Sequence, residues 1–198
     1  MEIVIHRINS LKELRGIPQE YGTEIDIRAY GSELILNHEA FQTGESFEDY
    51  LDEYQHDTLI LNIKEAGIED EVLRLVRLRP QIKSYFLLDV EFPYLYLASR
   101  KGECSMAVRF SEDESIETVK KYADKVDWVW IDTNTRLPLN ENNILVLNQF
   151  KKCLVCPEIW GRPEDISIYK KDMENLGFKI QAVMTSIENT THWVKTSR

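Results

Sequence analysis

Two histidines, two carboxylates one residue apart, an arginine and a lysine stand at the ends of apolar runs in the first third of the chain. His6 and Arg7 close the run 3–7, Glu24 and Asp26 alternate with Ile25 and Ile27, His38 closes 33–38, and Asn62 and Lys64 close 58–64. Histidine titrates nearest neutrality, which makes His6 and His38 candidates for giving and taking a proton. Side chains two apart on a strand share a face, so Glu24 and Asp26 point to one side while the isoleucines point to the other. Paired oxygen donors of this kind suit a hard cation, Mg²⁺ or Ca²⁺, acting as a Lewis acid. Arg7 and Lys64 suit the oxygens of an anion. Each residue also has a plain reading: a solvated edge strand alternates in the same way, a lone histidine is commonly just a surface group, and Lys64 with Glu24 makes an ordinary ion pair.

These groups need elements to hold them. Strands are expected over 3–7, 23–30 (extended after Gly31 by 33–38), 58–64, 84–92, 104–111, 128–132, 153–158 and 178–185. Between them the apolar spacing predicts helical segments near 11–14, over 47–54, over 69–78 with Pro80 beyond its end, after Pro93, and over 114–126 and 140–150. A last one runs from Pro163 to Leu176, with Gly177 as its cap. The stretch 187–198 has little apolar periodicity. Eight strands separated by helices imply parallel pairing, and eight such units are what a closed (β/α)₈ TIM barrel needs. The rival, an open doubly wound sheet, usually carries a glycine-rich first turn, and no G-x-G-x-x-G follows the first strand. Barrels typically run to about 250 residues, and this chain has 198, so a single compact domain over 1–198 requires short helices.

Composition narrows the partners. A formal net charge of -10 opposes nucleic acid. No run reaches membrane length and no signal-peptide core opens the chain, so stable membrane insertion is not expected and a cytoplasmic location is. Cys104, Cys153 and Cys156 form an odd set that reads as free thiols, the C-x-x-C pair lying in a strand rather than opening a helix. His56 and His192 have no supporting pattern. In a barrel an unpaired carboxylate on a strand is costly on either face, and the polar groups here gather toward strand C-terminal ends, where barrel enzymes place their sites. Asp89, Arg109 and Trp130 are therefore possible pocket residues.

In this order, His6-Arg7, Glu24-x-Asp26, the run to His38 and Asn62-x-Lys64 resemble the glycerophosphodiester phosphodiesterase family. That family is part of a wider group of TIM-barrel phosphodiesterases that includes the phosphatidylinositol-specific phospholipases C and the spider-venom sphingomyelinases D. The family's signature is His-Arg-Gly on the first strand, Glu-x-Asp on the second, His-Asp soon after, and acid-x-Lys on the third. The close match covers roughly the first third of the chain. It departs at Ile8, in place of glycine, at Glu39, in place of aspartate, and at Asn62, in place of an acidic ligand for which Asp89 or Glu65 would be a substitute. The insertion that many members carry after the second histidine is absent.

The resemblance implies a metal-dependent hydrolase of a small glycerol- or sugar-linked phosphodiester. Catalysis falls to His6 and His38, phosphate binding to Arg7 and Lys64, and metal binding to Glu24, Asp26 and Asn62. It further implies attack by the substrate's own neighbouring hydroxyl, through a cyclic phosphate. The alternative is a non-catalytic, phosphodiesterase-like binding protein in which the change at Asn62 has removed productive metal binding. Both histidines and the Glu-x-Asp pair favour the enzyme, since a pure binder has no use for a paired acid and base.

Overall fold

The computed structural model describes residues 1–194; the last four residues of the stretch 187–198 lie outside it. The chain divides into two compact units, Glu2–Ala98 and a second that begins at Ser99.

The first unit contains β1 (Glu2–Ile5), α1 (Leu11–Leu14), β2 (Gly22–Tyr30), β3 (Glu33–Leu36), β4 (Glu45–Ser46), α2 (Phe47–Glu53), β5 (Leu59–Ile63), α3 (Glu69–Arg77) and β6 (Tyr85–Leu88). The division falls within α4 (Phe92–Arg100). Strands β1, β2, β5 and β6 are neighbours in that order, all parallel. Every residue of β5 is buried, as expected for a parallel strand covered on both faces. Helix α3 starts with Glu69, Asp70 and Glu71 and ends with Arg74 and Arg77, which complements its dipole, and buries Val72, Leu73, Leu75 and Val76. Ser46 caps α2 by accepting from the Asp49 amide, and Phe47, Tyr50 and Leu51 go into the core.

Register places the polar groups. Asp26 lies opposite Asn62 and Glu24 opposite Ile60, so Glu24, Asp26 and Asn62 share one face of the sheet. Gly22, where β2 begins, packs so close to the Thr58 carbonyl that any Cβ would overlap it. Gly22→Ala should therefore destabilise the protein by about 2 kcal/mol, read as a lowered urea midpoint; an unchanged midpoint would contradict the close approach.

The segment after Gly31 does not extend β2. It folds back as β3, antiparallel to β2, with Tyr30 opposite Glu33, and β4 then pairs with β3. Gly31, at φ 64°, supplies the left-handed backbone for the reversal. His38 is thereby returned alongside β2, where the Asn37 amide donates to the Asp26 carbonyl at 3.0 Å.

The second unit contains β7 (Ala107–Phe110), α5 (Ile116–Lys120), β8 (Trp128–Ile131), α6 (Glu141–Leu147), β9 (Lys151–Val155), α7 (Asp165–Asn175) and β10 (Ala182–Thr185). Short 3₁₀ turns follow β9 and β10. Its four strands are parallel in chain order. An Asn140–Asn143 capping box starts α6. With four parallel strands in each unit and helices between them, the α/β class and the number of parallel strands match expectation, and α1 and α5 have only four and five residues. Strand β9 begins two residues earlier than the apolar pattern suggests because Lys152 is buried: its ammonium approaches the Phe150 carbonyl at 3.3 Å and lies over the Phe178 ring.

Candidate active site

Glu24 and Asp26 are each only 1% exposed, in the middle of β2, and both are held by hydrogen bonds from the surrounding chain. The chain leaves β1 with Arg7 in the left-handed region, φ 59°. A non-glycine residue there carries a strain of about 1 kcal/mol or more. The turn has a use: the Arg7 amide donates to Glu24 Oε2 at 2.8 Å, and the Ile8 amide donates to the Glu24 carbonyl at 2.9 Å. His6 Nε2 lies 3.9 Å from the same Glu24 oxygen. Asn62 donates its amide Nδ2 to Glu24 Oε1 at 2.9 Å.

Asp26 takes the cations. Lys64 Nζ stands 3.4 Å from Oδ1 and Arg7 Nε 3.7 Å from Oδ2. The ion pair made by Lys64 is thus with Asp26, not with Glu24 as the plain reading of the sequence had it. Asn9 grips Asp26 twice: Asn9 Nδ2 donates to Oδ2, and Asn9 Oδ1 accepts from the Asp26 amide, both at 2.8 Å. Nothing in the sequence marks Asn9, since asparagine in a loop after a strand is ordinary; only the bond pair distinguishes it.

Burial, and next the charge of Asp26, push the Glu24 carboxyl up to about 7 against the opposing pull of the Asn62 amide, the Arg7 amide and Lys64. Glu24 is thus poised to hold or release a proton near neutrality. His38 Nδ1 lies 2.6 Å from Glu39 Oε1. That bond holds Glu39 below the usual carboxylate range and leaves Nε2 as the ring nitrogen that Glu39 does not engage. His6, Arg7, Glu24, Asp26, Asn62 and Lys64 thus form one connected set, and Arg28 joins His38 to it through backbone carbonyls.

None of the bonds and ion pairs described for that set reaches the other nominated residues' own described partners. Asp89 directly follows β6, at φ 56°. Glu65 is bonded to the Ala29 amide. Arg109 and Trp130 belong to the second unit: Arg109 pairs with Glu114 at 3.0 Å and with Asp132 at 2.7 Å, and Trp130 is 3% exposed. A cleft of about 810 Å³ in that unit, lined by Glu112, Glu114, Lys120, Arg136, Leu139 and Asn142 among others, contains none of the nominated residues.

No family model matches the chain, and no curated protein sequence does. Among solved structures, the crystal structure of glycerophosphodiester phosphodiesterase from Agrobacterium tumefaciens str. C58 superimposes over 96% of this chain and 99% of its own, with a TM-score of 0.63 at 11% identity. The two proteins share a fold. A Pseudomonas aeruginosa structure described as an aldo-keto reductase matches at TM-score 0.36 and 9% identity over 97% of this chain and 73% of that one, too distant to carry weight. The glycerophosphodiester phosphodiesterase fold is a TIM barrel, and the eight parallel strands alternating with helices here are of that class.

Proposed function

We propose that this chain is a phosphoric diester hydrolase that cleaves a small glycerol- or sugar-linked phosphodiester. The observation that carries this reading is the single network in which His6, Arg7, Glu24, Asp26, Asn62 and Lys64 meet, on a fold shared with a phosphodiesterase. Arg7 and Lys64 present positive charge beside Asp26, where a diester's nonbridging oxygens would be drawn. His6 and His38 divide the proton transfers, one taking a proton from the attacking hydroxyl and the other giving one to the leaving alkoxide.

The donor set fits a hard divalent cation. Glu24 and Asp26 offer carboxylate oxygens, and Asn62 Oδ1 is a buried acceptor with no hydrogen-bond partner. Mg²⁺ or Ca²⁺ bound there would polarise the phosphoryl group and offset its charge. Among the described residues no three histidine, cysteine or acidic side chains converge as ligands of one ion, so Asn62 would have to complete the set. That same feature favours a second reading, a phosphodiester-binding protein without turnover, because protein donors already satisfy both carboxylates.

No described helix is long and apolar enough to cross a membrane, and the free cysteines accord with a cytoplasmic location. Phosphorus NMR of glycerophospho-alcohols and sugar-phosphate diesters, with Mg²⁺ or Ca²⁺ and with chelator, should show turnover that chelation abolishes. A cyclic phosphate signal would identify attack by the neighbouring hydroxyl. Binding of the diesters without turnover in any metal would select the second reading.

A further inference from the structure

Arg28 shares its strand face with Glu24 and Asp26, yet its guanidinium goes to main-chain carbonyls. Nε and Nη2 donate to the His38 carbonyl at 3.2 and 2.9 Å, and Nη1 donates to the Lys64 carbonyl at 3.3 Å. Both carbonyls lie just past strand ends, His38 beyond β3 and Lys64 beyond β5, where the sheet ladder gives out. One planar fork therefore fixes two segments far apart in sequence, and they carry a proposed acid–base group and a proposed phosphate ligand. Two bonds to one oxygen also restrict the peptide plane after His38, while Glu39 holds the ring from the side. Lysine cannot reproduce this, because an ammonium lacks the rigid, coplanar donors.

We infer that Arg28 is a positioning residue that sets His38 relative to Lys64, an inference that rests on the proposed function of those two residues. Three of its five N–H donors go to these carbonyls, and the inferred effect on the phosphate runs through the neighbours they hold. Displacing a catalytic group by about 1 Å costs on the order of a hundredfold in rate.

The test is Arg28→Lys and Arg28→Ala, compared with wild type for kcat and KM on the best diester and for the histidine ring signals in proton NMR. Both variants should lose roughly 30- to 100-fold in kcat with KM changed little, and the His38 signals should shift or broaden while those of His56 and His192 stay in place. Full activity in Arg28→Lys would overturn the inference, because charge alone would then suffice. A raised KM with unchanged kcat would also overturn it, by making Arg28 a substrate contact. Should wild type turn over no diester, the functional reading fails separately, and the NMR comparison alone decides: an unmoved His38 signal in Arg28→Lys refutes positioning.

Discussion

His38→Ala and His6→Ala should each lower kcat for a phosphodiester about a thousandfold, within the range a positioned general acid or base contributes. Melting temperatures should stay close to wild type, since both rings are partly solvated rather than core groups. The two histidines are held differently. Glu39 accepts at His38 Nδ1, which fixes the ring and leaves Nε2 turned away from that bond. His6 Nε2 stands 3.9 Å from Glu24 Oε2, the oxygen that accepts from the Arg7 amide. Glu39→Gln should consequently cost less than His38→Ala, because it removes the orienting charge and leaves the imidazole. Initial rates by phosphorus NMR separate these cases. Wild-type rates in His38→Ala would remove the ring from the mechanism and leave the set around Glu24 as a binding site alone.

The groups that were legible in the sequence are those whose position follows from strand periodicity. Glu24 and Asp26 share a face because the period of a strand is two, and parallel register then brings Asn62 opposite Asp26 whatever the loops do. The hairpin was hidden because one glycine decides it: read as a string, 23–38 is two apolar runs with a break, and only the left-handed backbone at Gly31 turns the second run back. Asn9 and Arg28 were hidden for another reason. Each bonds main-chain atoms that come near it only once β1, β2, β3 and β5 have paired, so neither residue type nor spacing announces the role. Lys152 misled in the opposite sense, since a lysine next to an apolar run suggests a solvated strand end, whereas here backbone and amide oxygens and an aromatic face accept its ammonium inside the core.

The contribution of Glu24 to the stability of the metal-free protein should fall as pH rises from about 4.5 to about 7, and Glu24→Gln should remove that contribution. In the folded protein the Glu24 carboxyl is pushed up from 4.5 to about 7, by burial first and by the charge of Asp26 second. Below 4.5 it is protonated in both states and folding carries no penalty from its charge. Between 4.5 and 7 the unfolded chain releases the proton and the folded one keeps it, so the unfolded state gains with each step in pH. Above 7 both are ionised and the loss levels off. At about 1.4 kcal/mol per pH unit, this amounts to about 3 kcal/mol. Glu24→Gln loses one of the two acceptors that Arg7 and Asn62 use, a cost that does not change with pH, so the gap between the urea midpoints of wild type and variant in chelator should shift in the variant's favour between pH 4.5 and pH 8. Titrating groups away from the Glu24–Asp26 pair enter both curves and drop out of the difference, so the difference reports that pair. Mg²⁺ or Ca²⁺ should act in the reverse direction, raising wild-type stability more at pH 8 than at pH 5, because the ionised carboxylate is the form that holds a cation. Parallel curves for the two proteins would mean that Glu24 ionises in the fold as readily as in water, and the site would then lose both its proton reservoir near neutrality and its reason to recruit an ion there.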